Sequence, residues 1–267
     1  MMGFMTGARL ATIVVLALSA GCASDPPLPA AGSVDLDKFL HDQGQAALQR
    51  KKWLTAREYF RRLVDTYPRS SYRTSAKLGI GDSYLGEGRI DALILAANEY
   101  REFLTLAPLS ERADYAQYRL AQSQVKQMLG PQRDQGATRD GLRELERFRQ
   151  NYPTSQYKPE VDKLYREARD RLSDHELQVG QFHFRNRMYV GALSRLRTVY
   201  DEDPGFTRRD AVCFYLGETL TKLGLIKDAR PMYEQLVKDF PKSRFISESK
   251  KRLAAPPPPP PPPPVKK

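Results

Sequence analysis

Few side chains in this sequence are equipped for chemistry. Three histidines (His41, His175, His183) and two cysteines (Cys22, Cys213) are the full complement of those types in 267 residues. His175-Glu176 begins like the zinc-protease signature, in which histidines four apart on a helix hold the metal and the glutamate serves as base. Position 179, where the second ligand belongs, is Val, so the pair reads as structural. His183 falls where a repeat places a large seam residue and reads as packed. Asp201, Glu202 and Asp203 are three adjacent acids near a helix end and read as solvated. The sequence holds no phosphate-cradling glycine loop, no Cys-x-x-Cys pair and no Gly-x-Ser-x-Gly elbow. The expectation is a protein without catalytic residues, metal or cofactor, not an enzyme.

Cys22 is the exception. Arg9 precedes an apolar run from Leu10 to Ala20. As a helix that run would reach only ~16 Å, about half a bilayer core. A charged start, a short apolar core and small residues before a cut site are the marks of a signal peptide. Ser19-Ala20-Gly21-Cys22 resembles the bacterial lipobox, in which the cysteine becomes the acylated first mature residue; the departure is Ser19, where Leu is usual. Ala23 and Ser24 follow, the pattern associated with outer-membrane sorting. Residues 1–21 are therefore read as a lipoprotein signal peptide. Residues 22–33, with Pro26, Pro27 and Pro29, are read as a lipidated tether. Cys213 is then left without a partner in the chain.

The composition agrees with an exported globular or repeat-built chain. Charged residues are 28% and hydrophobic ones 40%, which excludes full disorder, and two cysteines exclude a disulfide scaffold. The formal net charge is +11, but an exported protein rarely meets nucleic acid, and none is expected as a partner.

The elements that must carry these residues are set by repeats. Tyr67-Pro-Arg-Ser-Ser-Tyr72, Tyr152-Pro-Thr-Ser-Gln-Tyr157 and Phe240-Pro-Lys-Ser-Arg-Phe245 each separate two helical patterns. Proline ends the first helix, the serine two residues on is suited to cap the second, and the last aromatic is expected to pack back on the preceding turn. Ala56, Ala96, Ala192 and Ala229 stand twelve residues before Pro68, Pro108, Pro204 and Pro241. Gly44, Gly180 and Gly217 stand a further twelve back. Small residues at these offsets let antiparallel helices approach, and Trp53, Phe60, Leu63, Tyr189, Leu196, Tyr233 and Leu236 fill the seam. The offsets match the tetratricopeptide repeat of about 34 residues.

The fold expected is all-α, a right-handed solenoid of five tetratricopeptide repeats with a C-terminal capping helix and a disordered polyproline tail. The repeat domain spans 34–253, with units at about 34–70, 71–110, 111–155, 156–206 and 207–243, then the cap, whose helix is expected near Ser243 to Ala254. The tail is 254–267, where Pro256 to Pro264 favour a polyproline II rod. Gly130 to Ala137 reads as a protruding loop. Pro231 is tolerable only in a first turn, which places a helix start near Lys227. Such a stack curves and offers an extended concave surface.

The lipobox, the five units and several strings of residues together resemble the BamD (YfiO/ComL) family of outer-membrane β-barrel assembly lipoproteins. The strings are Tyr67-Pro68 with Tyr72, Arg133-Asp134-Gln135, Tyr152-Pro-x-Ser-x-Tyr157, and the run from His175 through Tyr189 and Ala192 to Arg195. Departures are Ser19, Phe182-His183 in place of paired tyrosines, and the proline tail. The resemblance implies a non-catalytic scaffold, lipidated at Cys22 and anchored to the outer membrane facing the periplasm. It implies docking on a POTRA domain of a BamA-like barrel subunit, with Arg195 at the docking position, alongside other lipoproteins of that machine. It also implies capture of unfolded outer-membrane protein clients, for which Tyr67 and Tyr72 are the candidate groove residues. The competing expectation is a periplasmic adaptor like the tetratricopeptide coordinator of the Tol–Pal system.

Overall fold

Helix punctuation recurs along the chain, and the elements follow it. The computed structural model describes residues 35–255, and among these every regular element is a helix. The signal peptide, Cys22, the tether and Pro256 to Pro264 lie outside the described residues. The helices are α1 Leu36–Gln49, α2 Trp53–Thr66, α3 Arg73–Glu87, α4 Ile90–Leu106, α5 Ala113–Val125, α6 Gly136–Asn151, α7 Lys158–Arg185, α8 Tyr189–Glu202, α9 Arg209–Lys222, α10 Ile226–Asp239 and α11 Ile246–Ala254. The chain divides after Leu36, and from Asp37 onward it forms one unit.

Within a pair, a glycine on the first helix receives a large side chain from the second. A Cβ at Gly44 would lie 2.5 Å from the Phe60 ring, and one at Gly217 would lie 2.8 Å from Tyr233. The alanines of the second helices, Ala56, Ala96, Ala192 and Ala229, are buried, as are Phe60, Leu63, Leu196, Tyr233 and Leu236. Trp53 and Tyr189 are half-buried. Helices adjacent in sequence pack together from α2 through α11. In addition α5 touches α3 and α7, and α7 touches α9. Odd-numbered helices therefore approach one another across a pair, which puts them on the inside of the bend of a helical solenoid.

The hexads are built differently from the expected cap. Tyr72, Tyr157 and Phe245 occupy the N-cap positions, without a side-chain cap bond. The serine two residues earlier instead accepts the backbone N–H of that aromatic, at 3.1 Å from Ser70 and 3.2 Å from Ser155 and Ser243. Its own hydroxyl donates at 2.6 Å to an acid in the first turn of the preceding odd helix: Asp37, Asp114 and Asp210 respectively. The closing aromatic also crosses to that helix rather than to the preceding turn. Tyr72 lies 4.9 Å from His41, Tyr157 stacks on Tyr118 at 5.2 Å, and Phe245 stacks on Phe214 at 4.5 Å. Each hexad is thus a clasp between pairs. It also consumes residues up to Phe245, so the last helix starts at Ile246, not Ser243.

Three further expectations are corrected. The insertion does not protrude. Gln135 is buried and donates to the carbonyls of Gly130 and Arg133, both at 2.9 Å, while α7 holds the loop through His175 Nδ1 to Pro131 O at 2.6 Å and Arg171 to Leu129 O at 3.1 Å. Asp203 is not solvated, although Asp201 and Glu202 are. It accepts both guanidinium nitrogens of Arg166, at 2.8 and 2.6 Å, and the Ser173 hydroxyl at 2.5 Å. Helix α10 starts at Ile226, next to the expected Lys227, but Pro231 lies in its second turn rather than its first. Pro231 and Lys227, whose carbonyl loses its helical donor, are both exposed, so water can take the freed carbonyl.

The long helix α7 is what sequence spacing did not foresee. Its first half, with Val161, Ala168 and Leu172, closes the core under α5 and α6, while Leu177 and Phe184 belong to the core under α8 and α9. One uninterrupted 28-residue helix therefore joins the N-terminal pairs to the C-terminal ones.

Candidate functional site

Among the described residues no group of three His, Cys, Asp or Glu side chains is placed to hold a metal, and Cys213 is buried, its thiol pushed up to about 11 by that burial. Buried polar groups are instead spent on joining helices. Asp82 of α3 accepts the Tyr100 hydroxyl at 2.6 Å and the Tyr115 hydroxyl at 2.8 Å, with Arg119 Nε at 3.2 Å, tying α3, α4 and α5. Burial raises the phenol of Tyr100, so it stays protonated and remains a donor. Glu218 of α9 takes the Tyr233 hydroxyl at 2.8 Å and Arg252 at 2.6 and 3.0 Å, fixing α11 onto the last pair. What such an arrangement can do chemically is present surfaces.

Arg195 sits on α8 with its side chain half exposed and Nη1 3.0 Å from Glu176 Oε2 of α7. Its inward neighbours Ala192, Leu196 and Val199 are buried, which fixes the helix rotation that turns Arg195 outward. On the outer side of α8, Val190, Leu193, Ser194, Arg197 and the acids Asp201 and Glu202 line an open hollow of about 460 Å³. Val190 is 74% exposed. This is a mixed surface, apolar at its N-terminal end and charged at the other.

Tyr67 and Tyr72 share the α2–α3 hexad but not a role. Tyr67 is half-buried and lines a hollow of about 340 Å³ with Asp37, Pro68 and Arg69. The Tyr72 ring is engaged by His41, whose Nε2 lies 3.0 Å from Ser75 Oγ. Arg195 stands three pairs further along, so the candidate residues define separate surfaces. Cys22 lies outside the described residues. A surface missed by sequence reasoning is the inner face of α7, where Gln178, Val179, Phe182 and Arg185 meet Pro131 and Arg208 around a groove of about 510 Å³. Its signal was available: His175, Gln178, Val179 and Phe182 share one helical stripe, and Phe182 is 52% exposed.

The fold and these surfaces define a class: a helical-repeat protein whose stacked helix pairs present extended surfaces. The profile of the YfiO family, described as outer membrane lipoprotein, matches residues 35–234. The chain belongs to that family. Similar to it are three proteins named outer membrane protein assembly factor BamD. That of Caulobacter vibrioides is 26% identical over 238 residues, 88% of this chain and 77% of the relative. That of Vibrio cholerae is 24% identical over 205 residues, 73% and 83%. That of Haemophilus influenzae is 22% identical over 228 residues, 81% and 84%. These are names of assembly factors, not of enzymes. Among the described residues no helix is long and apolar enough to cross a membrane.

Proposed function

We propose that this outer membrane lipoprotein is a scaffold of the outer-membrane β-barrel assembly machinery, docking on a POTRA domain of the barrel subunit and helping to capture unfolded outer-membrane proteins. The observation that carries the reading is the family match over 200 contiguous residues, 35–234, together with relatives named for outer membrane protein assembly. Residues 1–21 act as signal peptide, Cys22 is acylated, and α1 to α10 are the five repeats, with α11 as cap. Arg195 is the docking residue. Its half-exposed guanidinium, held by Glu176 alone at 3.0 Å, is placed to turn to an acid of a partner. Tyr67, with the hollow it lines, is the better client contact of the two tyrosines, because Tyr72 already packs on His41.

The test is co-purification of the barrel subunit with Arg195→Asp from solubilised membranes, with helicity checked by circular dichroism. Charge reversal at a desolvated pair costs about 2–5 kcal/mol and weakens capture strongly. Undiminished capture by a folded variant overturns the docking assignment.

A further inference from the structure

The turns inside the helix pairs lie along one edge of the solenoid, and two of them share an unusual feature. Helices α1, α7 and α9 end in the same paired bonds. The N–H of Lys52 reaches Ala47 O and that of Lys51 reaches Leu48 O, both at 2.9 Å, and the same pattern closes at Arg187-Met188 and at Gly224-Leu225. This motif needs a left-handed residue, normally glycine. Gly224 (φ 77°) supplies it in α9, and Gly88 (φ 73°) closes α3 in the simpler one-bond form, but Lys51 (φ 57°) and Arg187 (φ 60°) adopt it as non-glycine residues. A cation is thus held at the turn tip against backbone preference.

The α1–α2 turn carries cations only, while the acids of the adjoining α3–α4 turn, Glu87 and Asp91, are paired with Arg57 and Arg89. Arg50, Lys51 and Lys52 are exposed and make no ion pair among the described residues. Leu54 beside them is 63% exposed, and Ile90 in the next turn is 56% exposed. The two turns are neighbours, since a Cβ at Gly86 would lie 2.7 Å from the Trp53 ring. Unpaired cations flanked by outward apolar side chains fit the boundary between anionic headgroups and acyl chains. A purely acidic protein face would leave Leu54 and Ile90 without purpose.

We propose that the α1–α2 turn, with the adjoining α3–α4 turn, docks on the anionic phospholipid surface of the membrane to which the chain is anchored. The proposal rests on the reading of Cys22 as the acylated residue. The thirteen residues from Cys22 to Val34 could span at most about 45 Å. That exceeds the ~21 Å length of α1, so the tether can lay this edge on the bilayer.

Trp53, the sole tryptophan, lies in the docking turn and reports on it directly. The acylated chain is reconstituted into vesicles of phosphatidylcholine, with or without phosphatidylglycerol, whose acyl chains are brominated or not, and vesicle flotation is measured alongside Trp53 emission. Bromine should quench Trp53 in the phosphatidylglycerol vesicles, and about 0.5 M salt should relieve it. The Arg50→Ala/Lys51→Gly/Lys52→Ala variant should lose at least half of the quenching, each cation at such a surface being worth about five-fold in affinity. Lys51→Gly alone should raise Tm by about 2–4 °C yet reduce quenching, separating the stability of the turn from its use. A chain that floats with Trp53 unquenched overturns the docking proposal and leaves the anchor reading standing. Failure to float on either lipid overturns both, and quenching unchanged in the triple variant overturns the assignment to these cations.

Discussion

The hydroxyl of Ser155 donates to Asp114 Oδ2 at 2.6 Å, joining the turn after α6 to the first turn of α5. Ser70 with Asp37 and Ser243 with Asp210 repeat the relation at the same distance. The sequence separations are 33, 33 and 41, the difference arising in the pair that carries the insertion. The same contact is therefore kept while the chain between is lengthened, which marks it as a joint of the stack.

Ser155→Ala should destabilise the protein by about 1–2 kcal/mol, because Asp114 then loses a charge-assisted donor and the N–H of Tyr157 loses its acceptor. Urea unfolding with Ser155→Ala, Asp114→Ala and the double variant checks this. A coupling energy near zero would show the bond to be idle.

Acid should weaken the α7–α8 joint. Burial raises the Asp203 carboxyl, but hydrogen bonds from Arg166 and Ser173 outweigh it and hold the group below its ordinary value. A depressed folded pKa contributes stability that is complete above the unfolded value near 4 and is lost as pH falls through the folded one. Unfolding free energy should accordingly drop more steeply below about pH 4 in the wild type than in Asp203→Asn. Parallel slopes would dismiss the link.

Glu176 competes for Arg195 within the chain at 3.0 Å. An ion pair of this exposure is worth about 0–1 kcal/mol, so Glu176→Gln should tighten binding to the barrel subunit by up to about five-fold if Arg195 must turn to a partner's acid. Titration of the purified variant against the isolated POTRA domains measures it, and weaker binding would mean that Glu176 positions Arg195 rather than restrains it.

Gly44→Ala should destabilise despite the better helix propensity of alanine. The new Cβ would fall 2.5 Å from the Phe60 ring, and overpacking of about 1–3 kcal/mol exceeds the roughly 1 kcal/mol gained by the helix. Thermal melts of the variant decide the sign.

Much of the fold was legible because its signals are local. Pro68, Pro153 and Pro241 cannot continue a helix, and Gly44, Gly180 and Gly217 at fixed offsets mark where two helices meet, so helix pairs follow from spacing alone. The candidate surfaces were less legible. Arg195, Tyr67 and Tyr72 were singled out by likeness to a family. Their exposures differ because helix rotation turns Arg195 outward, while His41, thirty-one residues before Tyr72, covers that ring.

The sequence by itself determined that this chain is helical, is punctuated at recurring prolines, and carries no spacing of His, Cys or acids suited to catalysis. Tertiary structure alone decided that the hexad serines bind acids of the preceding pair, that Asp203 is buried against Arg166, that the third-unit insertion folds onto α7, and that Lys51 stands in a glycine's conformation. The physical reason is range. Propensity and proline act within a turn of chain, whereas burial, ion pairing and the crowding of odd helices depend on residues thirty or more positions apart that only packing brings together.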